Sequence, residues 1–408
     1  MERELVEDIV IVGAGIAGVT TSLGLHRLGI RSLVLESSDT LRVTGFSLSL
    51  WQNAWKALDA VGVGDKLRRN HQRLHGIVTT SLVTGKQIVA KSFKSTESQE
   101  GIEIRCVQRT KVLEVLVNEL PKETIRYSSK VVGFEESGFY KILHLADGTT
   151  IKTKVLIGCD GVNSLVAKWL GFKEPSFTGR FAIRGFAQFE TNHGLELRFM
   201  QFFGNGVRVG VVPCNEKQVH WFFTCIPSSQ ELKELKEDRA KLKPFVLKNL
   251  ENMPSAVRAC IEITDADGFL SYALRYRQTW DLMMGNISKG NVCVGGDALH
   301  PMTPDLGQGA CCALEDGIVL ARCLAEAFSK EKEEEEVHIK KIEESLKKYA
   351  KERRWRAVDV TTTAYMLGSI QQAESKLVTF LRENILPTFM AGQYLKKAGY
   401  DCGKLNRY

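Results

Sequence analysis

Apolar positions change period repeatedly along this chain, and each change predicts an element. Asp8-Ile9-Val10-Ile11-Val12 is a near-continuous apolar run, the pattern of a strand buried on both faces. A glycine turn, a helical stretch and a second strand ending at Glu36 follow, which together predict a parallel βαβ opening over residues 8–36. Residues 45–75 predict helix around Trp51, Trp55 and Leu58, and residues 77–104 alternate weakly around a turn at Thr84-Gly85. From Arg109 to Leu120, the positions Val112, Leu113, Leu116, Val117 and Leu120 share one helix face. Short strands are predicted at 124–127, 130–135 and 141–146, then a hairpin turn at Asp147-Gly148 and an apolar strand at 155–158.

Residues 180–225 are β in character throughout, with runs at 181–189, 195–203, 207–212 and 219–225, which predicts a separate inserted sheet. Phe202, Phe203, Trp221, Phe222 and Phe223 alternate on these strands, so half should face a core and half could face a ligand. A charged helical stretch covers 229–262. The apolar strand Val292-Cys293-Val294 then stops at Gly295-Gly296-Asp297, and a proline-bracketed loop with a second glycine pair leads into a helical pattern at Ala310, Leu314, Ile318, Leu320 and Leu324. Lys330 to Glu336 reads as a solvated charge run, and 337–389 as helices broken before Pro387, with Met366, Phe380, Phe389 and Met390 as packing residues.

These patterns give an α/β chain in six stretches. Residues 1–75, 105–178 and 276–335 form one discontinuous Rossmann-like domain. Residues 76–104 and 179–275 form a mainly β substrate domain, and 336–408 a C-terminal helical region.

Composition narrows the function classes. A formal net charge of +7 over 408 residues could draw an anionic cofactor but falls short of a nucleic-acid signature. Ten cysteines are scattered without a CxxC pair or zinc spacing, so no metal is expected, and a reducing, cytoplasmic setting is. No run of 18 apolar residues exists, and Lys396, Lys397 and Lys404 make only a weak interfacial signal, so firm membrane association is not expected. The first strand pattern begins so early that no signal or transit peptide is expected ahead of it.

Three motifs carry chemistry. Gly13-Ala14-Gly15-Ile16-Ala17-Gly18 follows a strand and opens a helix: the first glycine turns, the second admits a pyrophosphate, and the third packs helix on strand. Glu36 ends strand two, where a carboxylate can accept both ribose hydroxyls. Cys159-Asp160-Gly161 puts a second acid at the carboxyl edge of the same sheet. Asp297 is a third, an acceptor suited to a ribityl or ribose hydroxyl, followed by helix-start N–H groups that favour an electron-rich group.

In this order and at these distances, the motifs of residues 8–325 resemble the flavoprotein aromatic hydroxylases, single-component FAD monooxygenases of the p-hydroxybenzoate hydroxylase fold. The segments Gly295 to Gly309 and Ala313-Leu314-Glu315-Asp316 are similar to the salicylate hydroxylase, urate hydroxylase and zeaxanthin epoxidase branch. The resemblance implies a GR2-type FAD-binding domain. Gly13, Gly15, Ala17 and Gly18 would hold the FAD pyrophosphate, Glu36 and Ser37 the adenosine ribose, Ser49 the flavin, Arg109 the phosphates and Val132 the adenine through its main chain. Asp160 would line the approach of nicotinamide, Asp297 would take the ribityl chain, and Gly307, Gln308, Gly309 and Ala310 would set N–H groups against the N1/O2 edge of the ring. The chain departs from the pattern in two places: Ser164-Leu165-Val166-Ala167-Lys168 follows the Asp-Gly where the family usually has an arginine, so that Lys168 could supply the charge but not the arginine fork, and Ala310 replaces a glycine.

The implied activity uses NADPH or NADH and O2 to insert one oxygen into a small electron-rich aromatic or heteroaromatic substrate through a flavin C4a-hydroperoxide. Arg208 would clamp a substrate anion, Arg184 could do the same, and His220 would orient a phenol or move its proton. His220 occupies the position of a tyrosine in urate-hydroxylase-like proteins, so a substrate other than urate is implied. Pro301 would line the cavity, and His300 would brace its loop. An epoxidase of an isoprenoid or indole double bond, or an FAD-binding protein without turnover, stays open as an alternative, as do the substrate's identity and the oligomeric state.

Overall fold

The computed structural model describes residues 6–41, 47–94, 101–251, 253–328 and 334–406. Residues 330–333 of the predicted charge run, and the start of the stretch at 45–46, lie outside them.

The near-continuous apolar runs form the centre of the first sheet. Val6–Val12 pairs in parallel with Thr150–Gly158 on one side and Leu33–Leu35 on the other. Val292–Val294 and Ile125–Arg126 extend the parallel ladder at either end. The strand order is therefore 288–289, 292–294, 150–158, 6–12, 33–35, 125–126, with Ser288–Lys289 antiparallel at the edge, and the hairpin of Val131–Ser137 with Tyr140–Leu145 joins antiparallel to Thr150–Gly158. Ile9, Val10, Ile11, Val155, Leu156 and Ile157 are fully buried at the centre of the core. The helices Ile16–Arg27 and Gly309–Ala325 pack together beside this sheet.

The second sheet has seven strands, in the order Leu270–Tyr276, Ser176–Gln188, Gln218–Cys225, Val207–Pro213, Arg198–Gly204, Gly76–Ser81, Gln87–Ser92. Antiparallel alternation sorts its side chains. Phe181, Ile183, Val209, Val211, Trp221 and Phe223 face a helical cover that includes Leu242, Val246, Val257 and Ile261. Burying each such aliphatic side chain contributes about 1.5–3 kcal/mol. The opposite face carries Arg184, His220 and Phe222 toward the first sheet.

Helix was expected throughout residues 45–75, but Ser47–Leu50 is a strand paired with Arg105–Gln108, and helix begins only at Gln52. The alternation Ser-Leu-Ser-Leu is a period-2 signal that the tryptophans downstream obscured. In the C-terminal region, the 38-residue helix Glu335–Gln372 lies along both layers, followed by Lys376–Asn384 and Pro387–Ala398. Met390 is buried there, whereas Met366, Phe380 and Phe389 are exposed and are not packing residues. Among the described residues, no helix is long and apolar enough to cross a membrane.

Candidate active site

At the end of the first strand, Gly13 has φ +102°, and a Cβ there would strike the Cys159 carbonyl of the neighbouring strand. A Cβ on Gly18 would strike the Gly13 carbonyl, so that glycine sets the close approach of helix to turn. Gly15 has nothing within 4 Å of its missing Cβ and opens onto a cavity. Glu36 accepts the Ala14 N–H (2.9 Å) and the Ser38 N–H (2.9 Å). Burial alone would raise its pKa, but these N–H groups outweigh it and keep the carboxyl below its ordinary value.

Two further acids reach the same cavity from the sheet's carboxyl edge. Asp160 accepts the Leu165 N–H through Oδ2 (2.8 Å), while its buried Oδ1 has no protein partner; burial raises its pKa. Asp297 sits in the short turn Gly296–Ala298 with its carboxylate open to the cavity. The surrounding protein raises its pKa, offset in part by His300 and Arg109. It makes no hydrogen bond to any described residue.

A buried ionic lattice fixes the turn from behind. Asp316 accepts the Gly296 N–H (2.7 Å), His300 Nε2 (2.7 Å) and Arg353 Nε (2.6 Å). Burial opposes its ionisation, but the charges of His300 and Arg353 hold its pKa down to about 2. Glu315 is clamped by Arg353 (2.8 Å) and Arg356 (2.7 Å) and also accepts Asn53 Nδ2 (2.5 Å), which in turn reaches Gln308 Oε1 (2.8 Å). Both arginines come from the long C-terminal helix, which therefore holds the loop rather than decorating it.

The cavity has a volume of about 870 Å³ and runs from Glu36 and Ser37 past Gly13, Gly15, Ala17, Ser49, Arg109 and Asp160 to Asp297, Pro301, Gly307, Gly309 and Ala310. Gly307 adopts the left-handed conformation (φ +64°) and leads into the helix Gly309–Ala325, whose first-turn N–H groups lack intrahelical acceptors. The roof above this end carries Arg184, Phe199, His220, Phe222, Tyr272 and Leu274. Arg184 stacks on Tyr272 at 4.9 Å from the ring centroid. His220 Nδ1 donates to the Gly185 carbonyl (3.1 Å), and burial together with the Arg184 charge depresses its pKa to about 3, so the ring is neutral with Nε2 as its acceptor nitrogen.

Five residues named from the sequence lie outside the cavity lining. Arg208 is fully buried outside the cavity lining, paired with Asp305 Oδ1 (3.2 Å) and bonded to the Asp305 carbonyl (3.2 Å), so it is not available to clamp a substrate anion. Asp305, also bound by Arg180 (2.9 Å), takes that charge; an acid between Pro304 and Leu306 in a flexible-looking loop gave no signal of being buried. Val132 is half exposed on an edge hairpin, and Ser129, Lys130 and Val131 line the cavity in its place. The side chain of Gln308 turns inward to Asn53, and Gly18 lies behind the turn. Lys168 is exposed and does not reach the cavity. Sequence reasoning missed Tyr272 and Phe199; the alternation Leu270, Tyr272, Leu274 was the available sign.

A family model described as an FAD binding domain matches residues 7–364. The chain belongs to this FAD-binding family. Monooxygenase 2 of Arabidopsis thaliana is 51% identical over 411 residues, covering 99% of this chain and 100% of that protein. An FAD-dependent urate hydroxylase of Mycolicibacterium vanbaalenii is 26% identical over 382 residues, 91% and 90% of the two chains. The fold is similar to that of Klebsiella pneumoniae HpxO complexed with FAD and uric acid, with a TM-score of 0.81 at 21% identity over 98% of each chain. This FAD-binding protein is an oxidoreductase of the flavin-dependent monooxygenase type. The residues present fit FAD: the open cradle at Gly15, the unpartnered Asp160 Oδ1 and Thr303 Oγ1, and the helix start at Gly309 are groups a dinucleotide would complete.

Proposed function

We propose that this monooxygenase acts on a small aromatic or heteroaromatic anion held beneath the roof sheet by Arg184. One observation carries the reading: the Arg184 guanidinium lines the cavity and has no carboxylate partner among the described residues, whereas Arg208 is paired with Asp305. An arginine stacked on a ring and open to a cavity favours a planar carboxylate or enolate. His220, neutral and fixed through Nδ1, orients a substrate O–H or N–H toward its acceptor nitrogen. Phe222, Tyr272 and Pro301 exclude water around the ring.

Bound FAD supplies the redox chemistry, taking reducing equivalents from NADPH or NADH and activating O2 for transfer of one oxygen atom. Gly13, Gly15 and Ala17 would hold its pyrophosphate, Glu36 and Ser37 its ribose, Arg109 its phosphates and Asp297 its ribityl chain. Ser49 and the backbone of Gly307, Gly309 and Ala310 would meet the flavin, Ser129 to Val131 the adenine, and Asp160 would border the nicotinamide approach. Ten free cysteines, all buried, favour a reducing, cytoplasmic setting.

Purified protein should be yellow, and its NADPH oxidation should rise with salicylate or p-hydroxybenzoate and much less with salicylamide, peroxide being measured in parallel. Arg184→Met should weaken binding of the active acid by about 10- to 150-fold, the equivalent of a charge-assisted hydrogen bond of about 1.5–3 kcal/mol. Equal stimulation by acid and amide would overturn the assignment of Arg184.

A further inference from the structure

Two thiols meet where the cofactor side of the molecule touches the roof. Cys106 lies in the strand Arg105–Gln108, whose partner strand contributes Ser47, Leu48 and Ser49 to the cavity wall. Cys214 follows the roof strand Val207–Pro213, and its N–H bonds to the carbonyl of Gln218, which lies two residues before His220. The two Sγ atoms are 2.7 Å apart, and Cys214 Sγ is 3.4 Å from Ser47 Oγ, which borders the cavity. Both side chains are buried, and 108 residues separate them in sequence. The other eight cysteines have no such sulfur neighbour among the described residues.

We propose that Cys106 and Cys214 form a peroxide-reactive dithiol, which hydrogen peroxide converts to a disulfide tying the cavity wall to the roof sheet. The Cys214 sulfur attacks one peroxide oxygen: an S–O bond forms, the O–O bond breaks, and the departing hydroxide leaves as water with the thiol proton. The Cys106 sulfur then attacks the resulting sulfenic acid: the S–S bond forms, the S–O bond breaks, and a second water leaves with the Cys106 proton. Two thiols lose two electrons and one peroxide gains them.

Burial raises the pKa of both thiols, but hydrogen bonding from Cys106 and Ser47 brings Cys214 below its ordinary value, whereas Cys106 stays well above it. Cys214 Sγ also lies 3.4 Å from the cavity-lining Ser47 Oγ, on the side from which peroxide would arrive, which makes Cys214 the attacking sulfur and Cys106 the resolving one. Peroxide reaches the pair from outside, or from the adjoining cavity when reducing equivalents pass to O2 without oxygenating substrate. The second source rests on the monooxygenase reading.

The test treats the FAD-loaded protein with hydrogen peroxide in one arm, and with NADPH in air without aromatic substrate, with or without catalase, in the other. Non-reducing peptide mapping should show a Cys106–Cys214 linked peptide, two hydrogen masses below the sum of its parts, as the main oxidised species. Substrate-stimulated NADPH oxidation should fall severalfold and return with dithiothreitol. Cys106→Ser and Cys214→Ala, each checked for retained FAD, should lose both effects. A linked peptide in the first arm alone supports the dithiol and assigns the peroxide to an outside source. Free thiols at both positions after peroxide, irreversible oxidation of one alone, or linkage to any other cysteine overturns the proposal.

Discussion

Replacing Asp316 with asparagine keeps the size of the side chain and removes its charge at a position where three donors converge. Asp316 is fully buried and accepts from Gly296 N–H, His300 and Arg353. Breaking a buried ion pair by removing one partner costs about 3–5 kcal/mol, because the remaining charge keeps its desolvation penalty. With an unfolding entropy of about 2.1 cal/mol/K per residue over 408 residues, that predicts a melting temperature roughly 4–6 °C lower. The asparagine amide keeps one acceptor oxygen where the carboxylate had two, so either Arg353 or the Gly296 N–H beside Asp297 loses its acceptor, and FAD affinity should fall as the turn loosens. Two assays measure the effect: melting of the apo and FAD-loaded forms, and FAD titration by fluorescence quenching. Arg353→Met should be comparably damaging, and the double variant should cost at least about 1 kcal/mol less than the two singles together. The carboxyl has a pKa of about 2 in the folded protein, below its ordinary 3.8. Its contribution, about 2 kcal/mol, is complete above the ordinary value and disappears as pH falls through 2. Additive single effects, or an Asp316→Asn variant with unchanged melting and FAD affinity, would refute the claim that this lattice positions the loop.

Three further outcomes are expected. Asp297→Ala removes an acceptor that no described residue satisfies, so FAD affinity should fall about 10- to 150-fold with little change in apo-protein melting; full flavin occupancy at purification would contradict it. Arg208→Met leaves Asp305 with Arg180 alone and should lower stability by several kcal/mol, while the Kd for an aromatic acid moves far less than in Arg184→Met. The reverse ranking would restore Arg208 as the substrate clamp. For His220, the folded pKa of about 3 lies below the ordinary 6.5, so the unfolded chain takes up a proton first as pH falls. Stability should therefore decline below about pH 6.5 in the wild type and less steeply in His220→Asn, and binding of the aromatic acid should show no His220 break between pH 5 and 8. An inflection near 6.5 that the variant abolishes would show a charging histidine.

Legibility in the sequence followed how local each constraint is. Gly13, Glu36, Asp160 and Asp297 could be placed because a strand, a glycine and an acid within a few residues fix one another through backbone geometry. Ser47–Leu50 escaped notice because its partner, Arg105–Gln108, is more than fifty residues away and contributes half of the hydrogen bonds that make it a strand. The roof divides the same way. Alternation announced two faces, and Phe222 and Trp221 duly point oppositely, but which arginine lines the cavity depended on Asp305, a residue nearly a hundred positions beyond Arg208. A motif match put Arg208 at the substrate, and a single buried carboxylate moved the open charge to Arg184. Charge pairing across layers is a property of the assembled core: its energy depends on both partners being desolvated together, and no period in the chain encodes that. The same reasoning assigns the C-terminal helix its role. Arg353 and Arg356 read as two charges among many in a polar stretch, yet they are fully or nearly buried against Glu315 and Asp316. A helix that delivers two arginines to the back of the Gly296–Ala298 turn fixes that turn from behind, and replacing Arg356 by methionine should therefore weaken FAD binding, read by fluorescence titration, as Arg353→Met does.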